Sequence, residues 1–240
     1  MPTNTETDRP FHESFDNGIG ALSHNWAGSV DQSVRGEITL AGYTSTMEFP
    51  GGRSAGHGYG TYTVNAKIEG DEPGPVILLW PGDDRWPGQE IDIVEVTPDG
   101  SGRQYGTVHW DGGGYDSYET RIFDGVRDGV FHDYQVVWAP GRITFRVDGV
   151  EKGTITSNVP RDFDAGGMNN VFGLMNTSPN TSLTVRSVDY DPLGGGGSGG
   201  GGNGGGGGDP APGGGGSGTP RRPGAAAVAA RWTGTRSPRT

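Results

Sequence analysis

Three carboxylates, Glu90, Asp92 and Glu95, fall close together in the run WPGQEIDIVEV, residues 86–96. Their neighbours Ile91, Ile93, Val94 and Val96 are the β-branched residues of a buried strand. Side chains alternate along a strand, so Glu90 and Asp92 share a face. Glu95 stands an odd number of positions from Glu90 and would point away, unless one extra residue at Ile93-Val94, a β-bulge, returns it to the same side. With the bulge absorbed, Glu90 and Glu95 are roughly 13 Å apart at Cα. Side chains leaning ~3–4 Å toward each other bring the carboxyls to roughly 5–6 Å. A pair about 5–5.5 Å apart can carry out double displacement at an anomeric carbon. One carboxylate attacks; the other protonates the departing oxygen and then deprotonates a water. Like charges this close cannot all ionise comfortably, so the trio should titrate as a unit, with Asp92 sharing a proton with Glu90 and Glu95 the raised acid. Two other readings fit the spacing. One is a wet acidic strand face in an acidic protein. The other is a calcium site, although calcium loops want glycine and backbone carbonyls rather than a β-branched strand.

The elements around these residues read as strands. From residue 11 to 193, runs such as GTYTVNAKI, GPVILLW, YGTVHW, YETRIF, VFGLMN and SLTVRSVDY alternate or are β-branched, and Gly, Pro, Asn and Asp punctuate them. No helix-period segment exceeds a turn or two, so an all-β sandwich or jelly roll is predicted. RITFRVDGVEKGTI (142–155) predicts a hairpin turning at Asp148-Gly149. In FHDYQVVWAP (131–140), His132, Tyr134, Val136 and Trp138 share one face and read as core. Residues 1–10 are expected to be disordered. Residues 194–218 hold 18 glycines in 25 positions and read as a flexible linker. Residues 219–240 hold five Arg and no acid, and disorder is expected there too. Residues 1–193 carry 28 acids against 13 bases, a net of −15. Such a field repels nucleic acid and anionic membranes and suits a neutral partner. There is no Cys, which excludes disulfides, thiolate metal sites and a Cys nucleophile. No apolar run is long enough for a membrane span, and MPTNTETDRP lacks the apolar core of a signal peptide.

QEIDIVE, with WP before it and TVH after it, resembles the active-site strand of glycoside hydrolase family 16, in the bulged Glu-x-Asp-x-x-Glu form of its laminarinase-like members. Other stretches agree in order: GHGYGTYTVNAKI, PVILLWPGDDRWPGQEID, FHDYQVVWAPGRITFRVDG and SVDYDP. The resemblance covers roughly residues 11–193. It implies a β-jelly-roll of two curved antiparallel sheets with a concave substrate cleft. It also implies Glu90 as nucleophile, Asp92 as its assistant and Glu95 as acid/base. Two departures stand out: Gln89 occupies a position where Gly is usual, and FPGGRSAGHG (49–58) matches no family segment.

Sugars offer apolar ring faces on which aromatic side chains stack. Trp80 and Trp86, flanking the turn before the acidic strand, are the best platforms. His109 shares a face with Thr107 and by resemblance points into the cleft, with Trp110 beside it. Asn176, on the face of Phe172 and Leu174, is a further substrate-binding candidate, while Trp26 and Trp138 read as packing. The resemblance also allows a structural calcium on the convex side, with Asp189 as a ligand; no cofactor is required. The expected activity is that of a retaining endo-β-glycanase on a neutral β-linked polysaccharide, by analogy a β-1,3-glucan. A transglycosylase, a hydrolase of another β-glycan and a non-catalytic carbohydrate-binding jelly roll are the alternatives. The protein is expected to be monomeric and, since polysaccharides do not enter cells, extracellular despite the missing signal. The arginine-bearing tail reads as a truncated or frame-shifted remnant. Deleting residues 194–240 should therefore leave binding to insoluble glucan unchanged in a pull-down assay; weaker binding would make the tail a working anchor.

Overall fold

The computed structural model describes residues 9–194. The expectations for residues 1–8, and for the linker and tail beyond Gly194, lie outside the described residues. Fourteen strands follow in chain order: β1 (Phe11–Glu13), β2 (His24–Ala27), β3 (Ile38–Ala41), β4 (Thr44–Met47), β5 (Gly60–Glu69), β6 (Pro75–Pro81), β7 (Glu90–Val96), β8 (Gln104–Asp111), β9 (Asp116–Phe123), β10 (Phe131–Ala139), β11 (Arg142–Val147), β12 (Val150–Ile155), β13 (Asn170–Asn176) and β14 (Ser182–Pro192). Among the described residues there is no α-helix, hence none long and apolar enough to cross a membrane.

The strands form two seven-stranded antiparallel sheets. The first has the order β1-β14-β5-β10-β11-β12, with β3 also paired to β14; the second has the order β2-β4-β13-β6-β7-β8-β9. Alternation explains how they pack. In β5, Tyr62, Val64, Ala66 and Ile68 are buried while the residues between them are partly exposed. Tyr134, Val136 and Trp138 of β10 join the same core. From the second sheet, Ile77, Leu79, Ile91, Val108, Phe172 and Leu174 meet them. This is a jelly-roll sandwich, as the strand pattern predicts. The predicted hairpin is also present: Val147 pairs with Val150, and Asp148 and Gly149 take φ of 52° and 76°. Two successive positive φ values suit the two-residue turn that matches strand twist.

β7 is buried along its whole length, which answers how a core strand can carry three acids. Ile91, Ile93, Val94 and Val96 enter the core between the sheets. Glu90, Asp92 and Glu95 take the other face. The parity change occurs where expected: Asp92 pairs with Thr107 and Glu95 with Tyr105, so Ile93 and Val94 together oppose Gly106. The β6 side shows the same slip, between Ile77 opposite Val94 and Leu78 opposite Asp92. Two apolar side chains thus enter the core where a regular strand sends one. Gly106 faces that crowded region, and a Cβ there would lie 2.5 Å from the Phe145 ring and 3.0 Å from Phe123.

Segment 49–58, which the sequence alone sets apart from the resemblance, packs at the end of the second sheet. The Gly52 amide donates to the Gly82 carbonyl, and the Asn169 amide donates to the Arg53 carbonyl. Arg53 also donates to the carbonyls of Gly166 and Gly167. The segment therefore joins the β6–β7 connection to the loop before β13.

Gly106→Ala should destabilise the fold by about 1–3 kcal/mol, because the core has no room for the methyl group. Thermal melting would show a lowered Tm, partly restored by adding Phe145→Leu. An unchanged Tm would mean that the rings opposite the bulge yield freely.

Candidate active site

Three adjacent strands bring the site together. Glu90, Asp92 and Glu95 project from β7 on the face turned away from the core. On β8, Glu90 pairs with His109, Asp92 with Thr107 and Glu95 with Tyr105. On β9, His109 pairs with Tyr118. The carboxylates are only 7, 3 and 4 % exposed, so each sits in a medium that disfavours charge.

Thr107 Oγ1 donates to Glu95 Oε2 at 2.9 Å. His109 Nε2 lies 3.0 Å from Asp92 Oδ2, and its Nδ1 lies 2.9 Å from Asp116 Oδ1. Asp92 Oδ1 is buried with no hydrogen-bond partner. Burial, followed by the charge of Asp92, pushes Glu90 well above the usual carboxylate range. The same two causes push Glu95 up to about 8, although His109 and the Thr107 hydroxyl pull the other way. Burial works to discharge His109, but hydrogen bonds to Asp116 and Asp92 and the charges of Asp92 and Glu90 outweigh it, and its pKa lies well above 6.5. Burial and the charges of Glu95 and Asp92 raise the Tyr105 phenol, keeping it neutral as a potential donor. Hydrogen bonds to Asp92 add to the raising of both glutamates, so the ionisations of the three carboxyls are linked.

The aromatic residues are sorted differently from the sequence expectation. Trp86 stacks on Trp80 at 5.4 Å and 18°, and its ring meets His109 edge-on at 5.4 Å. Trp80 itself is 2 % exposed, and its indole N–H donates to Asp84. Trp86 thus holds the accessible surface and Trp80 supports it from below. Alternation places Trp110 on the face of Val108, away from His109 and the carboxylates. Asn176 is a correction. It is 1 % exposed and shares the core side with Phe172 and Leu174. Its amide donates to the carbonyls of Leu40, Ser178 and Thr181, and its oxygen accepts from Thr181 Oγ1 and the Ser178 amide. Such an amide closes a loop and has nothing left for a sugar. Asp189 lies on β14 in the first sheet, where His12 and Ser187 engage its carboxylate.

Gln89 acts as a clasp. Its side-chain amide donates to the Met168 carbonyl at 2.5 Å and to Asn170 Oδ1 at 2.6 Å, tying the start of β7 to β13. Sequence reasoning missed Asp116 and Tyr118. The signal was available, since counting outward from the glycine turn in WDGGGYDSY sets Asp111 opposite Asp116 and His109 opposite Tyr118. Among the described residues, the cluster with metal-ligand spacing is Glu90, Asp92 and His109. Both His109 nitrogens face carboxylates, Nε2 toward Asp92 and Nδ1 toward Asp116.

A β-sandwich bearing three buried carboxylates beside an aromatic surface is the architecture of a carbohydrate-active protein. The profile of Glycosyl hydrolases family 16 matches residues 22–191, and the chain belongs to this family. Among solved structures, the β-glucanase of Bacillus licheniformis is 20% identical, with a TM-score of 0.58, covering 77% of this chain and 98% of that one. A prokaryotic β-1,3-1,4-glucanase (lichenase) from a mouse hindgut metagenome is 19% identical, with a TM-score of 0.53, covering 77% and 99%. An apo Crh5 transglycosylase is 17% identical, with a TM-score of 0.53, covering 80% and 88%. At such identities the likeness is one of fold. No curated protein matches the sequence.

Glu95 is raised from 4.5 to about 8, so between those values the folded chain holds a proton the unfolded chain has lost. Stability therefore falls as pH rises through this window, and the raised Glu90 and His109 act with the same sign. Tm should drop between about pH 5 and pH 8. Glu95→Gln should flatten the drop and be more stable than the parent near pH 8, by roughly 1–3 kcal/mol. Equal slopes in calorimetry would show that Glu95 is not the group held protonated.

Proposed function

We propose that the protein is a retaining endo-β-glycanase, with Glu90 as nucleophile, Asp92 assisting it and Glu95 as acid/base. The observation that carries this reading is the bulge at Ile93-Val94, which sets all three carboxylates on one buried face. Glu95, raised to about 8, is protonated at neutral pH and can donate to the leaving glycosidic oxygen. Glu90 must be ionised to attack. Asp92, with its unpaired oxygen, is placed to take the shared proton when Glu90 gives it up. A non-catalytic binding module would have no need for two buried glutamates that destabilise the fold.

For substrate, we favour a β-1,3-glucan. The bulged motif supports it by resemblance, and the net charge of −15 over residues 1–193 favours a neutral polymer over a sulfated one. Trp86 supplies a face for a sugar ring beside Glu90. The chemistry calls for no cofactor. A calcium ion at Asp189 would be structural and would have to displace His12. The enzyme would act as a monomer outside the cell, where polysaccharides are found. Transglycosylation is the second reading, favoured by the likeness to a Crh5 transglycosylase; the two reactions differ only in whether water or a sugar meets the glycosyl-enzyme.

The test is reducing-sugar release from laminarin, mixed-linkage glucan and agarose in low and high salt. Release from laminarin, with β-configured product seen first by NMR, is expected. Glu90→Gln should lower kcat by at least ~10³-fold while retaining sugar binding. The rate should fall above about pH 8, as Glu95 loses its proton. Chain redistribution with little new reducing sugar would favour the transferase, and inverted product would overturn the double displacement.

A further inference from the structure

The two ring nitrogens of His109 face two different carboxylates inside the protein, and only one of those belongs to the proposed catalytic trio. Nε2 lies 3.0 Å from Asp92 Oδ2, and Nδ1 lies 2.9 Å from Asp116 Oδ1. The His109 side chain is 4% exposed. A neutral imidazole has one N–H donor and one lone pair, so it would turn that lone pair toward a buried carboxylate. With both carboxylates ionised, both contacts are satisfied only when both nitrogens carry hydrogen, which makes the ring a cation. We propose that Asp116 is a positioning residue that, by holding His109 doubly protonated, sets how many protons the three carboxylates share and hence the pH range in which the site works. This rests on the reading of Glu90, Asp92 and Glu95 as the catalytic trio.

The surroundings leave the task to Asp116. From β7, Glu90, Asp92 and Glu95 face the ring or its neighbours; from β9, Asp116 and Tyr118 do; along β8 lies Tyr105, and the Trp86 indole closes the remaining side. Among the described residues, no lysine or arginine forms an ion pair with the trio, and His109 is its cation. Asp116 is held in place by the turn before it. Asp111 Oδ1 accepts from the Gly113 and Gly114 amides at 2.8 and 2.6 Å, and the Gly112 amide donates to the Tyr115 carbonyl. The other oxygen of Asp116, Oδ2, is buried without a hydrogen-bond partner. A carboxylate kept in that condition contributes chiefly through its charge on the ring. Without that charge, the ring would lose one of its two protons, either from Nδ1 or from Nε2 to Asp92. In either case the trio faces no cation, its carboxyls hold their protons to higher pH, and Glu90 ionises later. Asp116 is farther from the trio than the ring is, so the loss of the cation outweighs the loss of its own negative charge.

The test has two arms. In the resting protein, ¹⁵N-edited NMR of the five histidines, with His109→Gln to identify the resonance, reads the ring's protonation. His109 should stay doubly protonated well above the ordinary imidazole range in the parent and in Asp116→Glu, and should lose its second proton at clearly lower pH in Asp116→Asn. In turnover, Asp116→Asn should move the acid limb of the kcat/KM profile up by about one pH unit or more, costing roughly tenfold at the foot of the old limb, with Asp116→Glu restoring it. A profile lowered uniformly but unshifted, or a ring that loses its second proton at the same pH in Asp116→Asn as in the parent, would overturn the proposal. If no polysaccharide is turned over, the catalytic reading fails while the NMR arm still decides the relay. If Asp116→Asn does not fold, the parent titration decides it, and a ring that discharges near its ordinary value would refute the proposal.

Discussion

A pleated strand sends every second side chain to the same side, and β7 is covered on both. Everything distinctive about the site follows from that constraint. A polar group on a doubly covered strand must find partners or change its charge. The extra residue at Ile93-Val94 reverses parity once, so three acids share the outer face while four β-branched side chains fill the core. Gly106 yields the volume that the two inward residues need. The bulge is thus shared by two strands, one supplying the extra residue and the other forgoing a side chain.

Burial and mutual repulsion then act together on the trio. Each disfavours charge, and together they raise Glu90 and Glu95 far above the ordinary range. Against them stand one hydroxyl, Thr107, and one imidazole, His109, itself held between two carboxylates. The site therefore carries several acids and one cation. It opposes the fold's stability at the pH where the acid is useful, a common condition of active sites.

Much of this was readable beforehand, and the exceptions have definite causes. The odd spacing from Glu90 to Glu95 declared the bulge, since no regular strand could use all three acids at once. Asp148-Gly149 declared its hairpin through the positive φ that Gly tolerates and Asp accepts. Asn176 misled because β13 is buried on both faces, so pattern alone cannot say which side opens to a ligand. Trp80 and Trp86 looked alike in sequence, but only the β6 register sets one beneath the other. Asp116 stayed hidden because its importance comes from pairing across a turn, and an acid in an acidic chain draws no notice. Gln89 looked like a lapse from pattern, whereas its amide is spent on Met168 and Asn170.

The bulge has one more consequence, for how such a strand tolerates changes in length. Removing Ile93 would leave Glu-Ile-Asp-Val-Glu, in which the three acids fall on alternate positions of an unbroken pleat and again share one face. Inserting a second residue at the same place with the bulge kept would turn Glu95 inward. The acids are thus indifferent to a one-residue shortening that the core would register at once, through the lost side chain opposite Gly106. A chain shortened by this residue would still present the three acids on one face, provided the apolar layer beneath were repacked to match.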